Sequence, residues 1–247
     1  MGKLQEVEEL LSHLTLFEGL RPDVRGELAQ ASVRLRVQKN DMILHRDEQA
    51  RGLYVLVIGQ VKISIPSQQR EKVIEFIGPG QAFGEAVMFL DHPYLINAQA
   101  LSDSLLLWID KRDIERALEQ DPRFALQLLK GLSQRFETLL LDIEEVNLKT
   151  AVERVVGYLL SQPYEGDETV LKFNKRMIAS KLGLTPETFS RALNQLKQSH
   201  LISVHGSKVQ MHERSELMSA QAVVQTSDQT ASGHPVANSV DRRLHAV

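Results

Sequence analysis

The 247 residues, of which 43% are hydrophobic, are enough for two domains with sizeable cores. The absence of cysteine excludes disulfide bonds, thiolate catalysis, zinc–thiolate sites and cysteine-ligated iron–sulfur clusters. No apolar run reaches the roughly 18 residues that a membrane helix needs, and the N-terminal sequence MGKLQEVEEL lacks the apolar core of a signal peptide. We therefore expect a cytoplasmic protein with no membrane partner.

The first 120 residues combine helices with many short strands. Apolar side chains in residues 4–31 recur on one helical face, and the sequence Gly-Leu-Arg-Pro divides this stretch into two helices. Between Val33 and Ile109, short β-type runs alternate with turn residues, and glycines fall between or at the ends of the runs. This pattern predicts a small antiparallel β-barrel or jelly roll inside an N-terminal domain of residues 1–120.

A long helix is predicted to follow, over residues 121–149. Its length of about 28 residues would span about 40 Å. Apolar side chains in it recur at spacings of four and three residues, as in the seam of a coiled coil. The seam could be buried within the monomer, but the pattern favours a homodimer. The predicted dimer interface comprises Leu132, Phe136, Leu139, Ile143 and Val146.

Residues 150–216 are predicted to form a winged helix-turn-helix domain. The segments Lys175–Leu182 and about Pro186–Ser199 have the apolar spacing of two short helices, and a small β-hairpin follows them. Gly183, between the helices, can supply the positive φ of a helix end. Residues 217–247 are rich in Ser, Ala, Gln and Thr without amphipathic spacing, which predicts a disordered tail.

The second helix of this pair carries residue types that read base edges in DNA. A carboxylate accepts a hydrogen bond from cytosine, an arginine donates two to guanine, and a hydroxyl reaches a base edge or a thymine methyl. Glu187, Ser190 and Arg191 supply these groups close together. The segment 172–214 is also basic, although the net charge of the chain is -3, and such local charge is typical of phosphate contacts. The alternative is a basic, solvated helical pair that packs against another surface.

The whole pattern resembles the CRP/FNR superfamily of bacterial transcription factors over about residues 10–214. The most specific segments are LGLTPETFSRALNQL, LISVHG and FGEAVMF. The segments LFEGL, FGEAVMFLDHP, NAQAL and PETFSR are most similar to the regulators of dissimilatory nitrate respiration, the DNR branch. The resemblance implies an α+β fold: an N-terminal cyclic-nucleotide-binding-like β-barrel (jelly roll), a long dimerisation helix and a C-terminal winged helix-turn-helix. It also implies a homodimer that binds DNA and RNA polymerase.

The resemblance further implies a DNA site. FNR-type members carry the pattern E-x-x-S-R in the recognition helix, and this pattern is present at Glu187-Thr188-Phe189-Ser190-Arg191. We therefore expect an FNR-like box, TTGAT-N4-ATCAA, in which Glu187 and Arg191 read the C·G pair and Ser190 lies near a thymine. By the same match, the phosphate contacts are expected at Lys175, Arg176, Thr185, Thr188 and His205.

The segment 83–100 resembles the phosphate-binding cassette of cyclic-nucleotide domains, and Gly84-Glu85 matches its opening. The cationic residue that holds the phosphate in cAMP-binding members is missing from residues 94–97, and Leu139 and Leu140 stand where those members contact adenine. The sequence therefore disfavours cAMP. The expected effector pocket is apolar and bounded by Phe83, Gly84, Glu85, Met88, Phe89, Leu139, Leu140 and Ile143.

The similarity to the DNR branch implies haem b as the cofactor and nitric oxide as the signal. The candidate haem ligands in the sensor domain are His13, His45 and His92, none of which lies in a haem motif. A non-haem effector or a cyclic-nucleotide-like ligand is the alternative. An iron–sulfur cluster is excluded because the chain has no cysteine.

Two other classes of protein, an enzyme and a regulatory nucleotide-binding module, fit the sequence less well than a transcription regulator. An enzyme is not expected, because the sequence has no P-loop, no G-x-S-x-G motif, no histidine pair at metal-binding spacing and no dinucleotide fingerprint. A regulatory nucleotide-binding module that acts on protein partners would lack the basic segment after residue 170. That segment therefore favours the DNA-binding regulator.

Overall fold

The computed structural model describes residues 2–67, 71–212 and 217. These residues form two compact units: the first contains those up to 148 together with 175–186, and the second contains 149–174 and those from 187 onward. Residues 175–186 thus group with the N-terminal unit, although they lie within the predicted winged domain. Among the described residues, no helix is long and apolar enough to cross a membrane. The predicted tail lies, apart from Leu217, outside the described residues.

The helices of the first unit include the two that the sequence predicted on either side of the Gly-Leu-Arg-Pro break. Gly19, with a φ of +76°, lies in the predicted break between the first two helices, and Pro22 occupies the first turn of the second. A short 3-10 turn, Thr15–Phe17, lies just before this break. The helices are α1 (Gly2–Ser12), α2 (Pro22–Ala31), α3 (Lys111–Gln120), α4 (Pro122–Leu148) and α6 (Lys175–Lys181).

In the described part of the first unit, eight strands form two antiparallel sheets of four strands, in the orders β1-β8-β3-β6 and β2-β7-β4-β5. The arrangement is jelly-roll-like, which confirms one of the two predicted forms, but the sheets do not close into a barrel. The edges therefore remain open, and β5 is one of them. The strands are β1 (Val33–Val37), β2 (Met42–Leu44), β3 (Gly52–Ile58), β4 (Val61–Pro66), β5 (Glu71–Ile77), β6 (Ala82–Phe83), β7 (Asn97–Ala100) and β8 (Ser104–Asp110).

One apolar core joins both sheets to the surrounding helices. The first turns of α4 belong to this core, because Phe124 and Leu128 are buried and the Phe124 ring stacks on Phe17 at 5.7 Å between centroids. Asp121, which is also buried, precedes α4 and accepts a hydrogen bond from the Arg21 backbone N–H at 2.8 Å. These contacts fix the beginning of α4 on the N-terminal unit.

The second unit is a small helix-and-sheet body. Helix α5 (Ala151–Ser161) begins with a capping box, in which Thr150 and Glu153 each accept a hydrogen bond from the other's backbone N–H. After this helix, Tyr164–Glu165 forms a two-residue strand that pairs with the next strand along the chain. The elements are α7 (Pro186–Gln198), β9 (Tyr164–Glu165), β10 (Glu168–Val170), β11 (Ile202–His205) and β12 (Lys208–Met211), with sheet order β11-β12-β10-β9.

Candidate DNA interface and effector cavity

The turn between α6 and α7 has the hydrogen bonds of a glycine-terminated helix. Gly183 has a φ of +67°, as the sequence predicted, and its N–H donates to the Ser180 carbonyl at 3.1 Å. The Leu184 N–H donates to the Ala179 carbonyl at 2.8 Å, which completes a Schellman motif. A residue with a Cβ would be strained at position 183, so the glycine favours the end of α6 at this point.

Helix α7 has one buried face and one exposed face. Phe189, Leu193 and Leu196 are buried, as their spacing predicted. Glu187, Ser190 and Arg191, the predicted base-contacting residues, are all exposed. Because residues three and four positions apart on a helix are neighbours, these three side chains lie on one face. The Arg191 guanidinium donates to the Thr188 hydroxyl at 3.2 Å, which holds the arginine along the helix surface.

The predicted phosphate-contacting residues fall in both units. In the first unit, Lys175 and Arg176 are exposed in the first turn of α6, and Thr185 is half-buried just before α7. In the second unit, Thr188 is half-buried on α7, and His205 is exposed at the end of β11. Each of the five residues is thus at least partly accessible, as a phosphate contact requires.

The wing is connected to α7 by a second helix end of the same kind. His200 takes the positive φ of +57° there, and its N–H donates to the Lys197 carbonyl at 3.1 Å. The Leu201 N–H donates to the Leu196 carbonyl, also at 3.1 Å. The turn between β11 and β12 contains Gly206, whose φ is +63°. These two turns fix the wing relative to α7 inside the second unit.

The second half of α4 leaves an apolar stripe uncovered in the single chain. Of the five predicted interface residues, Phe136, Leu139, Ile143 and Val146 are exposed and Leu132 is half-buried. Phe136 and Ile143 expose 63% and 58% of their surfaces. The first unit therefore does not bury this seam, which was the monomeric alternative.

A cavity of about 340 Å³ lies in the first unit, between the strands and the middle of α4. One of its lining residues is Arg135 of α4, which donates hydrogen bonds to the Glu85 carboxylate and to the Ala82 carbonyl. The Arg135 guanidinium also lies 3.6 Å from the Glu75 carboxylate. The lining consists of Thr15, Leu16, Glu75, Gly80, Gln81, Ala82, Glu85, Gln127, Leu128, Lys130, Gly131, Gln134, Arg135 and Thr138.

The two carboxylates in this cavity are in unusual surroundings. Glu85 is only 5% exposed, and its Oε2 atom has no hydrogen-bond partner among the described residues. Burial raises the pKa of the Glu75 carboxyl above its ordinary value, while the charges of Arg135 and Lys181 act in the opposite direction. The Oε2 atom of Glu85, beside the Arg135 guanidinium, is thus a hydrogen-bond acceptor that a donor group of a ligand could satisfy.

The predicted effector pocket differs from this cavity in most of its members. Glu85 lines the cavity, but Phe83 and Met88 are buried in the apolar core, and Phe89 is exposed. Leu139, Leu140 and Ile143 are exposed on α4. Gly84 has a φ of +94°, and a Cβ there would lie 3.3 Å from the Gly52 carbonyl, so the cassette opening needs glycine.

The apolar effector pocket stays a prediction, because this cavity is formed mostly by other residues. Polar and apolar groups both line this cavity, and Arg135 supplies a positive charge from α4. Sequence reasoning missed this arginine because it searched for a cation inside the cassette. The spacing of the seam could have indicated it, since Arg135 lies next to Phe136 in the predicted interface.

The cavity does not fit the expected haem. His13 is exposed, and its Nδ1 atom lies 2.8 Å from the Glu9 carbonyl oxygen. His45 and His92 are exposed as well, and none of these three histidines lines the cavity. In the part of the chain that the structure describes, no group of three or more His, Cys, Asp or Glu side chains could hold a metal ion.

Comparisons with known proteins agree with this architecture. Residues 34–121 match the cyclic nucleotide-binding domain family, and residues 153–220 match the Crp-like helix-turn-helix domain family. The nitrogen fixation regulation protein FixK of Azorhizobium caulinodans is 31% identical over 193 residues, which cover 72% of this chain and 75% of that protein.

Two solved structures are similar to this chain. FixK2 from Bradyrhizobium japonicum has a TM-score of 0.67 at 26% identity, covering 76% of this chain and 96% of its own. DNR from Pseudomonas aeruginosa is 32% identical, with coverage of 86% and 96% and a TM-score of 0.46. The 31% sequence identity to FixK, over three quarters of the length of that protein, is enough to assign a family.

Proposed function

The chain belongs to the CRP/FNR family of DNA-binding transcription regulators, and we propose that it acts as a homodimer on an FNR-like palindrome, TTGAT-N4-ATCAA. The observation that carries this proposal is the exposed triplet Glu187, Ser190 and Arg191 on α7. A carboxylate and a guanidinium on adjacent turns suit the cytosine and the guanine of one base pair. The serine hydroxyl suits a neighbouring thymine.

The exposed seam of α4 supports the homodimer. Apolar side chains at spacings of four and three residues fit a second copy of the same helix, because a coiled coil buries this pattern on both sides. Two symmetric subunits would present two α7 helices to two half-sites about 34 Å apart, which is what a palindrome requires. RNA polymerase is the further partner that membership of this family suggests.

For the effector, the geometry favours a small molecule that forms hydrogen bonds over haem-bound nitric oxide. The cavity presents the Arg135 guanidinium and the unpartnered Oε2 atom of Glu85, which suit polar groups rather than a porphyrin face. The three candidate histidines lie elsewhere on the surface. We therefore propose that the signal is a non-haem effector.

The DNA proposal is tested by fluorescence anisotropy with the palindrome and a scrambled duplex, over a series of salt concentrations. We expect tighter binding to the palindrome and an affinity that falls steeply with salt on both duplexes, because phosphate contacts release counterions. Equal affinity for the two duplexes would contradict the proposed box. No salt-dependent DNA binding at all would favour a module that acts on protein partners.

The effector proposal is tested by the absorption spectrum of protein purified from haem-sufficient cells. We expect no Soret band, either as purified or after addition of haemin. A Soret band that shifts with nitric oxide would overturn the non-haem effector and restore the haem sensor.

A further inference from the structure

Helix α6 is attached to the open edge of a sheet through its last turn. The Ser180 hydroxyl accepts from the Val73 N–H at 2.9 Å and donates to the Glu71 carbonyl at 2.7 Å, both on edge strand β5. The Lys72 ammonium donates to the carbonyls of Ser180 and Lys181, at 3.0 and 2.8 Å. Two carbonyl groups at the negative end of the helix thus receive a cation, which is favourable for the helix.

Lys181 makes a second attachment at an irregular point of the same strand. The register of β4 and β5 shifts so that Ile74 has no opposite residue, as in a β-bulge. The Lys181 ammonium donates to the Ile74 carbonyl at 2.6 Å and also bonds to the Asp142 carboxylate of α4. We call the contacts of Lys72, Ser180, Lys181 and Asp142 the α6 clamp.

The α6 clamp and the effector cavity share two structural elements. Glu75, the residue after the bulge, is the carboxylate that lies 3.6 Å from Arg135 in the cavity. On α4, Arg135 and Asp142 are seven residues apart, so they lie on the same side of the helix. The contacts form a closed ring within the first unit. Arg135 of α4 pairs with Glu75 of β5, and the adjacent Ile74 accepts a hydrogen bond from Lys181 of α6. Lys181 also bonds to Asp142, which lies on α4 like Arg135.

We propose that this ring couples the occupancy of the cavity to the attachment of α6, the first helix of the helix-turn-helix. A ligand group that binds Arg135 or Glu85 competes with the Arg135–Glu75 pair. Any resulting shift of β5 or α4 moves an acceptor of Lys181, because Ile74 and Asp142 lie on those two elements. Arg135 and Lys181 are thus positioning residues for α6: Lys181 holds the helix directly, and Arg135 acts on it through the other contacts of the ring.

The inference rests on the proposed function only for its consequence on DNA. Its structural part needs no effector and no DNA, because it concerns whether α6 responds to a change at Arg135. A ligand shifts an equilibrium only by its differential affinity for the two arrangements. Removal of the Arg135 charge should therefore imitate part of the effect of a ligand that occupies it.

Hydrogen exchange of the full-length protein, measured by mass spectrometry on peptides that cover residues 175–186, tests this coupling. Lys181→Met should speed exchange in these peptides at least about fivefold, because it removes a charged hydrogen bond from the helix. Arg135→Gln should also speed it, although Arg135 does not belong to the clamp. The double variant should exchange no faster than about the faster single variant, since the two changes break one ring.

Two controls separate coupling from general loosening. Lys111→Met removes a lysine of matching burial, which pairs with Asp91 and Glu115 outside the ring, and it should leave residues 175–186 at the wild-type exchange rate. Glu75→Gln removes the charge that pairs with Arg135 in the ring, with little change in size. It replaces Arg135→Gln if that variant has a much lower melting temperature than the wild type. Wild-type exchange of α6 in both Arg135→Gln and Glu75→Gln would overturn the proposal.

The consequence for function is measured separately, as affinity for the TTGAT-N4-ATCAA duplex. Arg135→Gln and Lys181→Met should each change it, and their effects should deviate from additivity by about fivefold or more. Additive effects would overturn the coupling. If neither the wild type nor any variant binds the duplex, the proposed box fails. The hydrogen-exchange result still decides whether the ring couples Arg135 to α6.

Discussion

Two helices of this molecule leave a face uncovered, and the chemistry of the two faces is opposite. The second half of α4 exposes Phe136, Ile143 and Val146, whereas α7 exposes Glu187, Ser190 and Arg191. Helix α7 buries its other face through Phe189 and Leu193, whereas α4 buries apolar side chains only in its first turns, at Phe124 and Leu128. The comparison teaches that the kind of partner can be inferred from what a helix leaves exposed.

The physical consequences differ in the same way. An apolar stripe gains free energy when a second apolar surface removes it from water, at about 25 cal/mol per Å². A polar and charged face gains little from burial alone and needs matched donors and acceptors. Contacts of α4 should therefore tolerate salt, while contacts of α7 and its basic surroundings should weaken with salt.

The largest effect is expected from a charge in the seam of α4. Ile143→Asp would place an unpaired carboxylate in the interface, which costs about 3–5 kcal/mol when it is buried. We expect a monomer by light scattering and a loss of palindrome affinity of at least about 100-fold. Leu141→Asp is the matched control, because it adds the same charge on the opposite side of the helix. If Ile143→Asp remains dimeric, the seam is not the interface.

The next largest effect is expected at the exposed face of α7. Arg191→Ala should cost about 1–3 kcal/mol on the palindrome, and discrimination at the C·G pair should relax. Lys197→Ala removes a basic side chain from the last turn of the same helix, so it controls for lost charge. Anisotropy titrations measure both variants. Equal losses on the palindrome and on a scrambled duplex would show that Arg191 contacts phosphate rather than a base.

A third effect concerns the anchored beginning of α4, which contrasts with its exposed second half. Hydrogen bonds from Arg123 and Arg21 lower the pKa of the Asp121 carboxyl below its ordinary value of 3.8. The ionised Asp121 carboxylate therefore stabilises the folded state at neutral pH, and this stabilisation is lost progressively as the pH falls below about 4. Asp121→Asn should lower the melting temperature at pH 7, and the difference from wild type should shrink at pH 3. A difference that stays constant with pH would contradict this account.

The smallest effect is expected from the phosphate contacts of α6. The double variant Lys175→Ala, Arg176→Ala should weaken binding to the palindrome and to a scrambled duplex by a similar factor. The slope of log affinity against log salt should decrease by about 1 for each lost contact. An unchanged slope would show that these exposed side chains do not reach the DNA backbone.

The sequence predicted the α7 face better than the effector cavity, for a physical reason. The buried and exposed positions of α7 follow from spacing along one helix, so Phe189 and Arg191 could be assigned from the printed residues alone. The Arg135–Glu85 contact joins residues 50 positions apart, and no local pattern encodes it. Leu139 and Leu140 were assigned to the pocket from the resemblance, but the orientation of α4 leaves them exposed.

The same reason explains the smaller differences. The strand Tyr164–Glu165 exists only because it pairs with β10, and two residues carry too little pattern to predict it. The attachment of Lys181 to Ile74 depends on a bulge in a strand more than 100 residues earlier in the chain. By contrast, the turn at Gly183 was predictable, because its left-handed conformation favours glycine wherever it occurs.

The central claim is that two α7 helices each read one C·G pair through a symmetric dimer. Its most direct test compares wild-type binding to three duplexes: the palindrome, one with T·A at the C·G pair of a single half-site, and one with T·A in both. We predict a stepwise loss in which each replacement costs about 1–3 kcal/mol, at unchanged salt slope. Equal affinity for all three duplexes would contradict the account.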